Sequence, residues 1–423
     1  MSAKETTTKA PFNFEEEAKK YPKPREFWPA LEKMMIEPKF KITSDEIVTS
    51  DTDPKKKLRR VEAEFYSQEV VGKKWKHKCV IFIPEDYKEK LTPERKGKVV
   101  IHGVDNVAFP VHVTKLGDPI ATRLGYPTMI LANPGYYEDG QYIEHHIRRL
   151  RKLREKTGKI YYNMYCQLAV VYVQAMNVFQ DLLKLDELHA VIGGHSKRAN
   201  SVAVAAANDP RIASAIFMGN EGVYPMDRIS KYMSVHYAFF QDQLNIPMFY
   251  LGATNEDGYQ MFNITEIQRR MKKPLTIEII PNYCHAVLSD IQFMDYMMWV
   301  AHVFDDRPIT QIKEVTHTRQ GNSSKFRVKL EGKAKIQTVK VWYACTDDPH
   351  WRDLMWYSLD MFPRGDGYYE RSFAGGTVDA FLIEVGDISQ GVPGYVSSVP
   401  HKLTDAPVKP RRSRGSRPRL WDP

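Results

Sequence analysis

A serine, an acidic pair and a histidine follow three separate apolar segments of this sequence. Ser196 comes after the segment 189–192, Glu256 and Asp257 come after a later one, and His285 comes after the next. A serine hydroxyl is a weak nucleophile near neutral pH and needs a base within hydrogen-bond reach, which an acid in turn orients. Serine, acid and histidine in this chain order form a known arrangement of a catalytic triad. The sequence therefore predicts nucleophilic attack by Ser196, with His285 as the base and Glu256 or Asp257 as the acid.

The sequence leaves the choice of acid open. Glu256 and Asp257 are adjacent and point differently, so at most one of them can orient His285. Glu221, which follows the preceding apolar strand, is a third candidate. Each of the three carboxylates could instead be a solvated loop residue without a catalytic role. His285 could likewise be a helix-capping or buried histidine.

The residues around Ser196 have the pattern of a strand, a tight turn and a helix. This pattern is typical of a nucleophile elbow, in which a sharp turn lifts the serine above a parallel sheet. Gly194 stands two residues before the serine, where a side chain would collide with the strand. The second position after the serine, which is usually glycine, is Arg198, so the G-x-S-x-G pattern is incomplete.

An oxyanion hole needs two donors aimed at the developing negative charge. The backbone N–H of Lys197, at the start of the predicted helix, is one candidate. The turn that contains Gly103 and Val104, after another apolar strand, is the second. The Lys197 side chain could also reach the oxyanion; alternatively, Lys197 and Arg198 are surface charges or recognise an acidic group of the substrate.

Apolar strands alternate with stretches of helical period through the middle of the chain. This alternation predicts a doubly wound, mostly parallel sheet that binds its ligands at the carboxyl ends of the strands. Two alternating segments on either side of Gly72 predict an antiparallel hairpin at the sheet edge. Together with the order of serine, acid and histidine, the predicted fold class is α/β, specifically the α/β-hydrolase fold followed by a small C-terminal β-sandwich. Residues 226–244, rich in aromatic side chains, are predicted to be a helix that serves as core or lid.

Changes in composition divide the chain into four predicted segments. Residues 1–58 form a charged N-terminal extension, and residues 59–307 form the α/β-hydrolase domain. Period-two alternation without long helical segments predicts the β-sandwich over residues 308–403. Residues 404–423 form a basic tail rich in proline, arginine and serine, which is expected to be disordered.

The overall composition narrows the class of protein. The four cysteines are too widely spaced for a zinc ribbon or a redox pair, so neither a metal site nor a cofactor is predicted. The chain has no apolar run long enough to span a membrane and no hydrophobic N-terminal signal, which favours a cytoplasmic protein. Much of the formal charge of +9 lies in the tail, so nucleic-acid binding is not favoured.

Several motifs resemble those of the PhoPQ-activated pathogenicity-related family, a branch of the α/β-hydrolase superfamily. Residues 194–199 are similar to its G-x-S-K-R-G elbow, and residues 281–285 are similar to its P-N-x-x-H segment. Further similarities lie at residues 75–77, 253–257, 341–344 and 351–353. The resemblance implies Ser196 as nucleophile, His285 as base and Glu256 as acid, where the family usually has Asp. The elbow also resembles the G-C-S-R-N-G of glucuronoyl esterases, which implies that Lys197 is the counterpart of an arginine that supports the oxyanion.

The predicted function is that of a serine hydrolase, esterase-like, acting on a small-molecule or other ester substrate through an acyl-enzyme. The alternative is a catalytically weak or inactive protein with the hydrolase fold, which acts in binding or signalling. Its protein partner would bind through the β-sandwich or the basic tail. Eukaryotic relatives of the family include a secreted growth repressor, which keeps this alternative open.

Overall fold

The computed structural model describes most of the chain between residues 18 and 404. The described ranges are 18–87, 92–219, 234–256, 262–285, 289–345, 354–375 and 377–404, with residues 13 and 16. Three predicted features lie outside these ranges: Glu221, Asp257 and the basic tail from residue 405 onward. Residues 226–233 of the predicted lid helix 226–244 are outside them as well, and residues 237–243 form two short 3₁₀ helices rather than a continuous helix.

The central sheet has ten strands within the described residues. Their order is β1-β2-β3-β5-β4-β7-β8-β9-β10, with β6 paired to β3. The strands are β1 (Lys41–Thr49), β2 (Lys57–Val70), β3 (Lys73–Pro84), β4 (Lys98–Val104), β5 (Thr128–Ala132), β6 (Tyr136–Tyr137), β7 (His189–His195), β8 (Ile212–Met218), β9 (Met248–Asn255) and β10 (Leu275–Cys284).

Strands β5, β4, β7, β8, β9 and β10 are parallel neighbours, whereas β1, β2 and β3 pair antiparallel at one edge. The predicted hairpin is formed by β2 and β3, which turn through Val71 and Gly72, both with positive φ. The prediction of an α/β fold with a large, mostly parallel central sheet is therefore confirmed. Strand β1 lies in the predicted N-terminal extension and adds one more edge strand.

Helices cover both faces of the central sheet. They are α1 (Pro24–Glu32), α2 (Phe109–His112), α3 (Asp118–Leu124), α4 (Ile147–Thr157), α5 (Met164–Leu183), α6 (Lys197–Ala206), α7 (Asn263–Arg270) and α8 (Asp290–Asp305). The buried residues of α1, α5 and α6 share one apolar core with the sheet, and those of α3 and α8 share a second. Because the parallel strands are covered on both faces, their sequences are continuously apolar rather than alternating.

Two antiparallel sheets follow α8. One has the order β11-β12-β16-β15, and the other has β14-β13-β17-β18 with β19 paired to β17. The strands are β11 (Gln311–Gln320), β12 (Ser323–Glu331), β13 (Lys335–Ala344), β14 (Tyr357–Asp360), β15 (Phe362–Gly365), β16 (Tyr368–Ala374), β17 (Ala380–Ser389), β18 (Val392–Ser397) and β19 (His401–Lys402). Phe326 of the first sheet and Phe381 of the second have ring centroids 5.1 Å apart. The division of the chain into four segments and the sandwich itself stay predictions.

Polar contacts attach these sheets to the α/β part of the chain. The Ile279 N–H of β10 donates to Ser397 Oγ of β18 at 2.8 Å. The Tyr395 N–H of β18 donates to Asp295 Oδ1 of α8 at 2.6 Å. Within the described ranges, no helix has the length and the apolar character needed to cross a membrane.

Candidate active site

Ser196 occupies the single residue between β7 and α6. Its backbone has φ 59° and ψ −120°, a combination that residues with a side chain rarely adopt. Its N–H donates to the Met218 carbonyl of the neighbouring strand β8 at 2.8 Å, which holds the turn in place. A strained residue at a turn from strand to helix is the backbone geometry that a nucleophile elbow requires.

Gly194 allows the helix to pack closely against the strand before the elbow. A Cβ atom at this position would lie 2.7 Å from the Tyr172 hydroxyl oxygen and 2.7 Å from Arg198 Cβ. The predicted need for glycine is therefore real, but the atoms that require it belong to α5 and α6 rather than to the strand.

His285 and Glu256 form a hydrogen-bonded pair at the carboxyl ends of β10 and β9. His285 Nδ1 lies 2.6 Å from Glu256 Oε2, and the Glu256 side chain is only 4% exposed. A buried carboxylate at this distance fixes the proton on Nδ1 and leaves Nε2 as the nitrogen able to accept a proton. The other two acid candidates, Asp257 and Glu221, lie outside the described residues.

Gly219 and His195 enclose this pair, and sequence reasoning missed both. Gly219 follows β8 with φ +56°, and a Cβ there would lie 3.0 Å from His195 Nε2, 3.1 Å from His285 Nδ1 and 3.2 Å from Glu256 Oε1. The His195 ring lies against the His285 ring, with the ring centroids 4.6 Å apart and the ring planes tilted by 30°. Burial lowers the pKa of His195 well below its usual value of 6.5, so this ring is neutral. The sequence signal for Gly219 is its position. It directly follows β8, the strand that pairs with β7, and β7 leads into Ser196.

The residues proposed for oxyanion binding also reach this edge of the sheet. Lys197 is the first residue of α6, where backbone N–H groups have no acceptor within the helix. Gly103 pairs in register with Gly194 across the parallel strands β4 and β7, and Val104 ends β4. The Lys197 side chain is 42% exposed, with Nζ 3.3 Å from Glu144 Oε1.

Arg198 is buried, so its interpretation as a surface charge is wrong. Its side chain is 3% exposed, and its Nε–H donates to the backbone carbonyl of Asn133. Nη1 lies 3.9 Å from Asp105 Oδ2, and Nη2 lies 3.8 Å from Glu144 Oε1. Burial lowers the pKa of this guanidinium, and the two nearby carboxylates oppose that effect.

No cluster of three or more histidine, cysteine or acidic residues in the described part of the chain is arranged to hold a metal ion. A strained serine, an imidazole oriented by a buried carboxylate and a helix N-terminus lie along one edge of the sheet. Such an arrangement is suited to acyl transfer.

The model of the PhoPQ-activated pathogenicity-related protein family matches residues 225–354. This match confirms the family resemblance of the sequence. The matched range contains Glu256 and His285 but not Ser196. No curated protein matches the chain.

Several solved esterase structures are similar to this chain at low identity. An acetyl xylan esterase from Paenibacillus sp. R4 is 11% identical, with 69% of this chain and 100% of that chain covered and a TM-score of 0.47. Acetyl xylan esterase 1 from Thermoanaerobacterium sp. JW/SL YS485 is 11% identical, with 68% and 98% covered and a TM-score of 0.43. A glucuronoyl esterase from Solibacter usitatus is 11% identical, with 66% and 91% covered and a TM-score of 0.38.

Proposed function

We propose that this chain, which carries the match to the PhoPQ-activated pathogenicity-related family, is a serine hydrolase that cleaves small carboxylic esters. The observation that carries the proposal is the 2.6 Å hydrogen bond between His285 Nδ1 and Glu256 Oε2, beside the strained turn at Ser196. His195 supports the proximity of Ser196 to this pair, because it directly precedes Ser196 and its ring contacts the His285 ring.

In the proposed mechanism, Ser196 Oγ attacks the ester carbonyl carbon while His285 Nε2 accepts the hydroxyl proton. Glu256 accepts the hydrogen bond from Nδ1–H and stabilises the imidazolium. The carbonyl oxygen becomes an oxyanion, which accepts hydrogen bonds from the Lys197 N–H and from an N–H of the turn at Gly103 and Val104. The imidazolium then protonates the leaving alkoxide, and an acyl-enzyme remains on Ser196. Water, deprotonated by His285, hydrolyses this intermediate and restores the serine.

A fluorophosphonate probe tests the nucleophile directly. We expect the probe to form one covalent adduct, mapped by peptide mass spectrometry to Ser196, because an oriented imidazole activates only that hydroxyl. Ser196→Ala should abolish labelling. Ser201→Ala is the matched control, since this serine lies on the same helix, is buried and donates to the Lys197 carbonyl at 3.2 Å.

Labelling that persists in Ser196→Ala would contradict the proposal. A folded wild-type protein that neither labels nor cleaves a short-chain nitrophenyl ester would also contradict it, and would favour the alternative of a binding or signalling protein.

Gly219→Ala should disrupt the histidine–carboxylate pair. The positive φ alone costs about 1 kcal/mol of stability with a Cβ present, and contacts of 3.0–3.2 Å with three side chains of the site push those groups apart. We expect nitrophenyl ester hydrolysis to fall by roughly tenfold or more, because misplacing catalytic groups by fractions of an ångström is costly. Gly158→Ala is the control: it has φ +68° but nothing within 4 Å of its Cβ, so it should lose stability and keep activity. Equal rates in the two variants would contradict this prediction.

A further inference from the structure

Arg198 replaces the glycine that usually stands two residues after the nucleophile. Its Cβ and backbone pack against Gly194, so the close approach of helix and strand is kept, while its guanidinium lies buried beneath the loops at the carboxyl edge of the sheet. A buried guanidinium is expensive unless it gains hydrogen bonds and charge partners. The contacts of Arg198 therefore indicate what it does.

The guanidinium connects α6 to two loops and a 3₁₀ helix. Nε–H donates to the Asn133 carbonyl in the loop after β5. Nη1 faces Asp105 in the loop after β4, and Nη2 faces Glu144 in the 3₁₀ helix Ile143–His146. The two carboxylates lie at 3.8–3.9 Å, which is a charge contact rather than a hydrogen bond.

The loops after β4 and β5 are also attached to each other. The Asn133 N–H donates to the Val104 carbonyl at 2.7 Å, and Asn106 Nδ2 donates to the Pro134 carbonyl at 2.8 Å. Asp105 Oδ1 accepts from the Ala108 N–H at 2.7 Å, which shapes the β4 loop. Because Arg198 holds Asn133, it holds the β4 loop indirectly as well as through Asp105.

We infer that Arg198 is a positioning residue for the oxyanion hole, holding the loop 104–108 at a fixed distance from the Lys197 N–H. This inference rests on the proposed function, since the same loop would supply the second donor to the oxyanion. The planar guanidinium reaches Asn133, Asp105 and Glu144 in three directions at once. Lysine carries the same charge on a single point and cannot make all three contacts.

Arg198→Lys tests this role with the charge retained. We expect kcat for a nitrophenyl ester to fall by about 10- to 100-fold, with KM changed by less than about threefold. This is less than the roughly 10²- to 10³-fold loss that follows complete removal of an oxyanion donor, because the donor is displaced rather than removed. The inhibition constant of a boronic acid, whose tetrahedral adduct needs the same donors, should rise by a similar factor. Amide hydrogen exchange in residues 104–108 should become faster. Asp105→Asn weakens only the charge contact with Arg198, and Asp105 is partly exposed. It should show the same changes to a smaller degree. This variant also tests the inference if Arg198→Lys does not fold.

Arg211→Lys is the matched control. Arg211 also makes several contacts, with Nη2 2.7 Å from Asp209 Oδ2 and Nη1 2.8 Å from Asn177 Oδ1, but it lies beyond the opposite end of α6. It should leave kcat, boronate inhibition and loop exchange unchanged.

Unchanged kcat and unchanged loop exchange in folded Arg198→Lys would overturn the inference. If the wild-type protein cleaves no ester, the proposed function fails, and hydrogen exchange still decides the positioning role: faster exchange at residues 104–108 supports it, and unchanged exchange overturns it.

Discussion

Replacing His285 with glutamine should lower kcat/KM for a nitrophenyl ester by roughly 10⁴- to 10⁶-fold, the range found when a triad base is removed. Glutamine keeps a polar side chain beside Glu256 but cannot accept the Ser196 proton. The loss should fall on kcat, because the histidine acts on the reacting proton rather than on ground-state binding. Initial rates and a thermal melt of the same sample check this. A folded His285→Gln protein with near wild-type activity would remove His285 from the mechanism.

The identity of the acid can be decided by comparing adjacent residues. Glu256→Gln should lower kcat by up to about 10⁴-fold, since an amide no longer enforces the tautomer with the proton on Nδ1. Asp257→Asn is the matched control, and it should retain most of the activity if Glu256 is the acid. A larger loss in Asp257→Asn than in Glu256→Gln would show that the acid was assigned to the wrong residue.

The elements of the site could be predicted from the sequence because their signals are local. Apolar strands that end in polar turns mark one edge of a parallel sheet. Ser196, Glu256 and His285 are therefore expected near one another, independently of the conformation of the loops. The strand order then brings the 2.6 Å pair of His285 and Glu256 together. The sequence offers Glu256 as one of three candidates for the acid. Only the fold shows that its side chain is buried, unlike that of an ordinary loop carboxylate.

Other features depend on contacts between distant segments and leave no local signal. An arginine near the start of a helix is ordinarily exposed. Arg198 is buried because segments more than fifty residues away in the sequence cover it, at Asp105, Asn133 and Glu144. Gly219 looks like an ordinary strand terminus until the side chains of the site are placed around it. For both residues, tertiary packing determines an environment that the neighbouring sequence does not indicate.

A third feature without a local signal is a group of buried carboxyls between the central sheet and the C-terminal sheets. Glu278 of β10, Asp295 of α8 and Glu384 of β17 are all buried there. Burial raises the pKa of each, for Glu278 and Asp295 well above the usual values of 4.5 and 3.8, and each of these two is raised further by neighbouring carboxyls. Neither carboxyl oxygen of Glu278 has a hydrogen-bond partner among the described residues. Arg307, a cation near Asp295, donates a hydrogen bond to Asp387 Oδ1 at 2.6 Å.

These raised pKa values give stability a definite dependence on pH. A carboxyl whose pKa is raised in the folded state contributes its full stability below its usual pKa and loses it as the pH rises through the raised value. Buried histidines act in the opposite sense: His77 and His112, whose pKa burial lowers to about 4, contribute fully above 6.5 and lose their contribution as the pH falls. Above about pH 7.5, one unit beyond the usual histidine pKa of 6.5, the histidine contribution is nearly constant, so a decline there is the one expected from groups whose pKa is raised.

We therefore expect the free energy of unfolding of the wild-type protein to decrease from pH 7.5 to 8.5, by roughly 1.4 kcal/mol per pH unit for each proton that folding retains. Glu278→Gln should flatten this decline and be the more stable protein at pH 8.5, because an amide of the same shape cannot ionise. Denaturant unfolding at several pH values measures both effects. Asp387→Asn is the control from the same junction between the central sheet and the C-terminal sheets. It leaves buried Arg307 without its counterion, so it should destabilise the protein by about 3–5 kcal/mol at every pH measured. Parallel pH profiles for the wild type and Glu278→Gln would mean that Glu278 is already ionised in the fold, and that the junction between the sheets holds a buried negative charge rather than a proton.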